Sequence, residues 1–239
     1  MEKIKTETTP RRRFLGNLAK GAAALGISSL ATPALLKAGG LPEHENHFTD
    51  PSNPDEWFNK INGKHRMVFD VTGPKQGHEA ILPFAWPKVF LLTNAATGTP
   101  EKESSVVVIL RHNAIPYAME DRLWAKYKLG ETFNIKDDTT DAPSLRNRFW
   151  KPNPGYSIPG VGQVPIGINE LQQSGVMFCV CNMAINVLSA VVADGMKMKH
   201  EDVMKDWLSG ILPNIQVVPS GLWAVGRAQE HKCAYTFAG

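Results

Sequence analysis

Apolar residues in this chain gather into short runs that have the length and composition of β-strands. The stretch 65–71 is the first convincing strand, and 104–112 contains a continuous β-branched run. Such a run suits a central strand covered on both faces, which is typical of parallel sheets. The apolar stretch 175–181 predicts a third strand that ends in a cysteine. Two further strands are predicted at 215–218 and 233–237.

The segments between these strands have the spacing of helices. Pro83 and Pro87 confine the regular part of the first predicted helix to about 87–95. The stretch 182–196 is apolar nearly all round and predicts a deeply packed helix. Other helices are predicted at 118–127, 169–174, 199–208 and 219–231. Strands that alternate with helices predict one α/β domain, a flavodoxin-like three-layer fold with a five-stranded, mostly parallel sheet.

Periodicity is lost between residues 128 and 167, where prolines and glycines alternate. A stretch this long without a clear pattern indicates a functional lid, an interface arm or a flexible insertion. The pair Gly160 and Gly162 does not form a dinucleotide fingerprint, because no strand precedes it and no third glycine follows at the required spacing. We therefore predict an insertion at about 128–167 within a domain that spans 64–239.

Charge is unevenly distributed along the chain. Of the 26 basic and 23 acidic residues, six and two lie in residues 1–31, which leaves 20 basic and 21 acidic residues in the remainder. The body therefore has no bias towards nucleic acid or an anionic membrane. Residues 41–63 are mostly polar and rich in proline at first, which predicts a linker.

The first forty residues have the pattern of a targeting segment. Thr8 to Leu15 resembles the twin-arginine export signal: Arg11 and Arg12 match the pair, and Phe14 and Leu15 follow one residue later. The apolar stretch after them is short and broken for a membrane-spanning helix of about 20 residues. The resemblance implies export of a folded protein to the periplasm by the twin-arginine (Tat) machinery.

Two questions about this segment stay open. Imperfect cleavage sites near residues 29–34 allow either removal of the signal or its retention as a membrane anchor. The alternatives to an export signal are an amphipathic helix and a basic cluster of the nuclear type.

The body resembles the DsrE/DsrF-like family of small α/β domains from sulfur-relay proteins. The matching features are the strand that ends in Cys181 before an Ala-rich helix, the strand 106–110 followed by His112, and the Pro-Ser-Gly helix start at Pro219. The resemblance covers about 64–128 and 168–239. It implies a persulfide carried on Cys181, a sulfur-donor or sulfur-acceptor protein as partner, and a homo-oligomer. Ala193-Asp194-Gly195 stands where an Arg-Gly pair often occurs in the family.

Cys181 is the main candidate for chemistry on its position alone. Its sulfur should meet the start of the following helix, where free N–H groups and the helix dipole stabilise a thiolate. Asn182 is expected to begin and cap that helix. Cys179 should face the same side of the sheet but lie inside the strand, as an inert buried thiol. A packed, unreactive Cys181 is the alternative.

Other polar residues are expected at the same carboxyl edge of the sheet. His112 is a candidate base or imidazolium partner for the thiol, or a loop residue bonded to backbone. Asp70 ends the first strand and is a third candidate. Ser220 is expected to cap a helix whose start could bind an anion. Arg111 would pair with an anionic ligand or lie on the surface.

Several classes of site are not indicated. Three cysteines are too few for a disulfide scaffold. His44 and His47 have a spacing that can bind metal on a helix, but the prolines around them indicate a loop. The sequence therefore shows no convincing metal-ligand spacing, and its residues indicate no cofactor. Cys233 is a better oxidation partner for Cys181 than Cys179, although it should lie at the opposite end of the sheet. The sequence leaves open a periplasmic thiol or sulfur-relay protein and a non-catalytic ligand-binding or assembly protein. A third function, a cofactor-bearing oxidoreductase subunit, rests only on the export route. The sequence does not decide whether the chain is an enzyme.

Overall fold

The computed structural model describes residues 54–239. The predicted signal, with Arg11, Arg12, Phe14 and Leu15, lies outside the described residues, as does most of the predicted linker. None of the described helices is long and apolar enough to cross a membrane.

A five-stranded sheet forms the centre of the described chain. Its strands are β1 (His65–Val71), β2 (Ser104–Leu110), β5 (Met177–Cys181), β6 (Ile215–Val218) and β7 (Ala234–Phe237). They lie in the order β6-β5-β2-β1-β7, and every neighbouring pair is parallel. A separate antiparallel hairpin contains β3 (Tyr156–Ile158) and β4 (Gly162–Val164). The predicted flavodoxin-like, three-layer α/β class is confirmed.

Helices cover both faces of this sheet. The α-helices are α1 (Leu82–Ala96), α2 (Asp121–Tyr127), α3 (Leu129–Thr132), α4 (Ile168–Gln173), α5 (Asn182–Met196), α6 (His200–Ser209) and α7 (Gly221–Glu230). Shorter 3-10 helices span Glu56–Lys60, Gly77–Ile81, Glu101–Glu103 and His112–Ala118. The larger buried cluster contains side chains of helices α1 to α6, whereas α7 and Glu56–Lys60 pack in the smaller cluster on the other face.

The order of the strands determines where the chain reverses direction across the sheet. The chain passes from β1 through β2 and β5 to β6, and the helices between these strands pack in the larger cluster. It then returns through α7, which packs in the smaller cluster on the other face, to β7 beside β1. In open α/β sheets ligands bind outside the carboxyl ends of the strands, near such a reversal. The carboxyl edge of the sheet is therefore the expected place for a ligand or for reactive groups.

Helix α1 begins earlier than its prolines suggested. The predicted regular part started near residue 87, but the helix starts at Leu82. Pro83 lies in the first turn, where its missing N–H has no intrahelical partner to lose. Pro87 removes one bond, and burial of Phe84 and Leu91 in the larger cluster outweighs that loss. Similarly, α2 begins three residues later than predicted because a 3-10 helix occupies His112–Ala118.

Helix α5 has the predicted bounds but not the predicted burial. One face packs Ile185 and Val192 into the larger cluster. On the opposite face, Met183, Val187 and Val191 are 47%, 51% and 56% exposed to solvent. The prediction of a helix packed on all sides is therefore wrong, because an apolar residue type does not show what covers it. These three residues form the α5 stripe.

The stretch from residue 128 to 167 packs against the domain. It contains α3 and the β3–β4 hairpin. Phe133, Ile135, Phe149 and Val164 are buried in the larger cluster. Asn147 is buried as well, and its amide donates hydrogen bonds to the carbonyl oxygens of Tyr117 and Met119 at 2.8 and 3.0 Å. The segment thus contributes to the core despite its irregular sequence.

Candidate functional site

Cys181 lies where β5 becomes α5. Its backbone is extended, with φ −74° and ψ 109°, and the residue is the N-cap of the helix. The sulfur accepts a hydrogen bond from the N–H of Ala184 at 3.3 Å. Cys181 therefore lies at the helix start, where the sequence predicted it. The predicted cap is wrong: Asn182 is the first helical residue, and the thiol itself makes the capping bond.

The sulfur of Cys181 lies at a helix N-terminus and is shielded from solvent. The partial positive charge of a helix N-terminus stabilises an anion there. The residue is only 6% exposed, and it packs with the larger cluster rather than with Cys179. The expected shared face is therefore not found, because the chain turns into the helix at Cys181 and carries its side chain away from the alternation of the strand.

Arg111 is the charged neighbour that the fold brings to Cys181. Leu110 pairs with Val180, so Arg111 and Cys181 are the next residues along two adjacent strands. Neighbouring strands lie about 4.8 Å apart. The backbones of Arg111 and Cys181 are therefore side by side at the carboxyl edge of the sheet.

Asp70 holds the guanidinium of Arg111 in a fixed plane. The Nε and Nη2 atoms of Arg111 donate to the two carboxylate oxygens at 2.6 and 2.8 Å. The hydroxyl of Tyr235 donates to the same carboxylate at 2.9 Å. Asp70 is almost completely buried, and Arg111 is 14% exposed in its side chain. A bidentate pair of this kind is strong and directional. We call Asp70, Arg111 and Tyr235 the edge triad.

Charges within the triad and Cys181 act on one another. The hydrogen bond to Asp70 is the largest cause that raises the pKa of Arg111; burial opposes it, and attraction to Asp70, Tyr235 and a Cys181 thiolate adds to the rise. The pKa of Tyr235 is also raised, first by burial and then by its bond to Asp70. Arg111 therefore stays a cation, and Tyr235 stays a hydrogen-bond donor at neutral pH.

The start of α7 closes over Arg111. A Cβ atom at Gly221 would lie 2.6 Å from Cβ and 2.7 Å from Cδ of Arg111, so only glycine fits there without displacement. Ser220 caps the helix, as predicted, because its hydroxyl accepts the N–H of Trp223 at 3.2 Å. The N–H groups of Gly221 and Leu222 have no acceptor among the described contacts. The start of α7 therefore presents free donors beside the triad.

The other predicted partner of the thiol has a different environment. His112 follows β2 but is exposed, with a positive φ of 49°, at the start of a 3-10 helix. In the described residues its ring makes no hydrogen bond and no ion pair. Arg111, one residue earlier, occupies the position beside Cys181 that we expected of His112.

The remaining cysteines are buried and free. Burial raises the pKa of Cys179 far above that of an ordinary thiol, which makes it a poor nucleophile. Burial likewise raises the pKa of Cys233 to about 11. Among residues 54–239 there is no group of three His, Cys, Asp or Glu side chains able to hold a metal ion.

Sequence reasoning missed three features of this edge. Tyr235 was not a candidate, because the sequence does not show that the last strand returns to lie beside β1. The Asp70–Arg111 pair joins residues 41 positions apart, and only their places at the ends of two strands could have suggested it. Asn182 has a buried side-chain oxygen without a partner in the described structure, which the sequence also could not indicate.

No protein-family model matches this chain, and no curated protein matches it significantly. Comparison with known proteins therefore does not assign it to a family.

Proposed function

We propose that this chain is a DsrE/DsrF-like protein that accepts and passes on sulfur through Cys181. The observation that carries the proposal is the sulfur atom at the N-terminus of α5, where it accepts the N–H of Ala184 beside the cationic Arg111. Both features stabilise a thiolate, which is the nucleophilic form of cysteine. The resemblance to the family at the strand end and at the Pro-Ser-Gly helix start supports the same function.

The proposed transfer needs no external oxidant. The Cys181 thiolate attacks the outer sulfur of a persulfide, R–S–SH, on a donor. A new S–S bond forms to Cys181 as the donor's S–S bond breaks, and its electron pair leaves with the thiolate R–S⁻. The proton stays on the transferred sulfur. The same exchange in reverse passes the sulfur to an acceptor protein.

Mass spectrometry of the folded protein tests this proposal. After incubation with polysulfide, the protein should gain sulfur at Cys181, and a thiol alkylator should block the gain. A Cys181→Ala variant should gain none, whereas Cys233→Ala should behave like the parent. If Cys181 becomes reactive only after unfolding, the proposed function is wrong.

We propose export to the periplasm as the setting of this function. The support is the twin-arginine pattern in residues 8–15, with the Tat machinery as the transient partner. Contact with the membrane would be only through an uncleaved signal. Residues 1–40 fused to a folded reporter should direct its export, and replacement of Arg11 and Arg12 by Lys should abolish it. Export that persists in the Lys variant would contradict this setting.

A second candidate is a non-catalytic ligand-binding or assembly protein, which the exposed α5 stripe favours in its homo-oligomeric form. Apolar stripes at helical spacing are common at interfaces between subunits. Light scattering should then show an oligomer that Val187→Glu dissociates, whereas Lys205→Glu on the exposed face of α6 leaves it intact. A monomeric parent protein would exclude this candidate.

A further inference from the structure

Arg111 has hydrogen-bonding capacity that the described residues do not use. A guanidinium has five N–H donors. Asp70 accepts two of them, and the other three have no partner in the described part of the chain. The side chain is 14% exposed, and its unpaired Nη1 is not among the fully buried polar atoms of the described residues, so these donors reach solvent. They are therefore available to a ligand at the carboxyl edge of the sheet.

The backbone around Arg111 adds to this capacity and limits movement of the side chain. Gly221 packs against the stem of Arg111, and the N–H groups of Gly221 and Leu222 are unpaired among the described contacts. Asp70 and Tyr235 fix the plane of the guanidinium. Donors from a fixed guanidinium and from a helix start together suit a small anion.

We infer that Arg111 is the specificity-determining residue of the Cys181 site, that it selects a small anionic sulfur donor, and that Asp70 and Tyr235 are positioning residues which hold it there. This inference rests on the proposed function and narrows its substrate class. An electrically neutral donor would displace water from the three free arginine donors without offering them a charged acceptor, and it is therefore disfavoured.

The chemistry of an anionic donor fits the same transfer. In thiosulfate, for example, the Cys181 thiolate attacks the outer sulfur and forms an S–S bond to it. The bond between that sulfur and the sulfonate group breaks, and its electron pair leaves with sulfite. Arg111 would bind the sulfonate oxygens, or the carboxylate of an organic persulfide, as a bidentate donor.

Alkylation by a charged and a neutral reagent separates the inference from the proposed function. Iodoacetate is an anion, and iodoacetamide is its neutral counterpart. The variant Cys179→Ala/Cys233→Ala has Cys181 as its only thiol. In this variant we expect the iodoacetate rate divided by the iodoacetamide rate to be higher in the folded than in the unfolded chain. The expected excess is about fivefold, the upper end for a partly screened ion pair.

Removal of the charge should abolish this preference. Arg111→Met alone would leave Asp70 buried without its partner, so the double variant Arg111→Met/Asp70→Asn is used as well. Both should reduce the ratio to the value of the unfolded chain. Loading of Cys181 with sulfur is then measured from thiosulfate and from the persulfide of mercaptoacetate, in the parent and in the double variant. The donor whose loading depends on Arg111 shows whether the site selects an inorganic or an organic anion.

Tyr235→Phe tests the positioning role. Loss of its bond to Asp70 should lower the iodoacetate rate about twofold and leave the iodoacetamide rate unchanged, because only anion recognition depends on the plane of Arg111. A general structural defect would slow or accelerate both reagents together. Tyr156→Phe is the matched control, since it removes a hydroxyl that donates to the Arg148 carbonyl, outside the triad.

Each outcome decides a different question. Equal rate ratios in the folded and unfolded chain, with Cys181 reactive to iodoacetamide, overturn the inference and leave the sulfur-carrier function standing. A folded protein inert to both reagents overturns the proposed function and the inference together. A preference that survives in the double variant assigns anion selection to the start of α7 and overturns the role of Arg111.

Discussion

Cysteine is a weak choice for capping a helix. Ser, Thr, Asp and Asn are the preferred N-cap residues, and their oxygen atoms accept N–H groups better than a thiol does. Sulfur is a weak acceptor, and the bond to Ala184 is correspondingly long at 3.3 Å. A residue chosen only for capping would therefore be oxygen-based. Two things account for a thiol here: packing of the side chain in the larger cluster, and the proposed function of Cys181.

Gly221→Ala should disturb the edge triad without touching its polar groups. The added Cβ would lie 2.6 Å from Cβ of Arg111, an atom close to the backbone that cannot swing away. The arginine or the start of α7 must move. We expect a loss of stability of about 1–3 kcal/mol, typical of overpacking, and a reduced preference of Cys181 for iodoacetate.

Gly226→Ala on the same helix is the matched control. A Cβ at Gly226 meets nothing within 4 Å. Since alanine is the better helix former, this variant should be more stable than the parent by about 0.5–1 kcal/mol. Denaturant unfolding measures both variants. Equal stability changes at the two glycines would contradict the close packing of Gly221 on Arg111.

Local sequence rules succeeded at this scale where the cause was local. Ser220 follows a proline after a strand, and it caps α7 as predicted. Asn182 is also a preferred capping residue, yet the N-cap of α5 lies one position earlier, at Cys181. The difference comes from the path of the chain out of β5, where Met183 donates its N–H to the carbonyl of Pro219 in another loop. A contact between distant segments could not be predicted from the residues nearby.

At the scale of elements, the strands were easier to predict than the surfaces of helices. The bounds of β1 and α5 agree with the predicted ones because apolar composition changes sharply at their ends. Burial of a whole helix depends on its neighbours instead. The exposed stripe on α5 and the extra turn of α1 over Pro83 both depend on packing, which the order of residues does not show.

Asn147→Ala should loosen the irregular segment 128–167 from the domain. The amide of Asn147 donates to two carbonyl groups, and its oxygen accepts the N–H of Phe149 at 3.2 Å. The substitution leaves the Tyr117 carbonyl and the Phe149 N–H without this partner, whereas the Met119 carbonyl still accepts the indole N–H of Trp124 at 3.2 Å. Each buried group left unpaired costs about 1–3 kcal/mol where water cannot reach it. We therefore expect a loss of at least about 2 kcal/mol, measured by urea unfolding.

Asn94→Ala provides the comparison for this effect. The Asn94 amide makes one long side-chain bond, to the hydroxyl of Ser104 at 3.3 Å in a half-buried position. Its loss should cost about 0.5 kcal/mol. Limited proteolysis should also cut within 128–167 faster in Asn147→Ala than in either the parent or Asn94→Ala. Equal protease resistance in all three would show that Asn147 does not anchor the segment.

At the scale of the whole molecule, the sheet brings together residues that are far apart in the sequence. Tyr235 and Asp70 are 165 positions apart, and they meet because β7 lies beside β1. The alternation of strands and helices was sufficient to predict the fold class. The order of the strands was not predictable, because a return to either edge of the sheet would give the same sequence pattern. The edge triad could therefore be found only in the structure.

The junction between α2 and α6 should make global stability depend on acid. Asp206 accepts hydrogen bonds from Lys126 at 2.6 Å and Tyr127 at 2.7 Å, and it pairs with Arg122. Burial tends to raise the pKa of Asp206, but these three partners outweigh it and lower the pKa to about 2. A carboxyl with a lowered folded-state pKa stabilises the fold above its unfolded pKa, near 3.9, and loses that contribution as pH falls towards 2.

Asp206→Asn should therefore be less stable than the parent at pH 7, and the difference should shrink from about pH 5 downwards. Urea midpoints at pH 7, 5, 4 and 3 measure this convergence. Asp202→Asn is the control, since Asp202 is exposed and has no hydrogen bond or ion pair in the described chain. Its carboxylate lies in the first turn of the helix, so the variant should differ from the parent by no more than about 1 kcal/mol at any of these pH values. A constant gap between Asp206→Asn and the parent at every pH would mean that the carboxylate charge does not stabilise the junction. In that case Asp206 would act only through the geometry of its hydrogen bonds, which asparagine cannot fully reproduce.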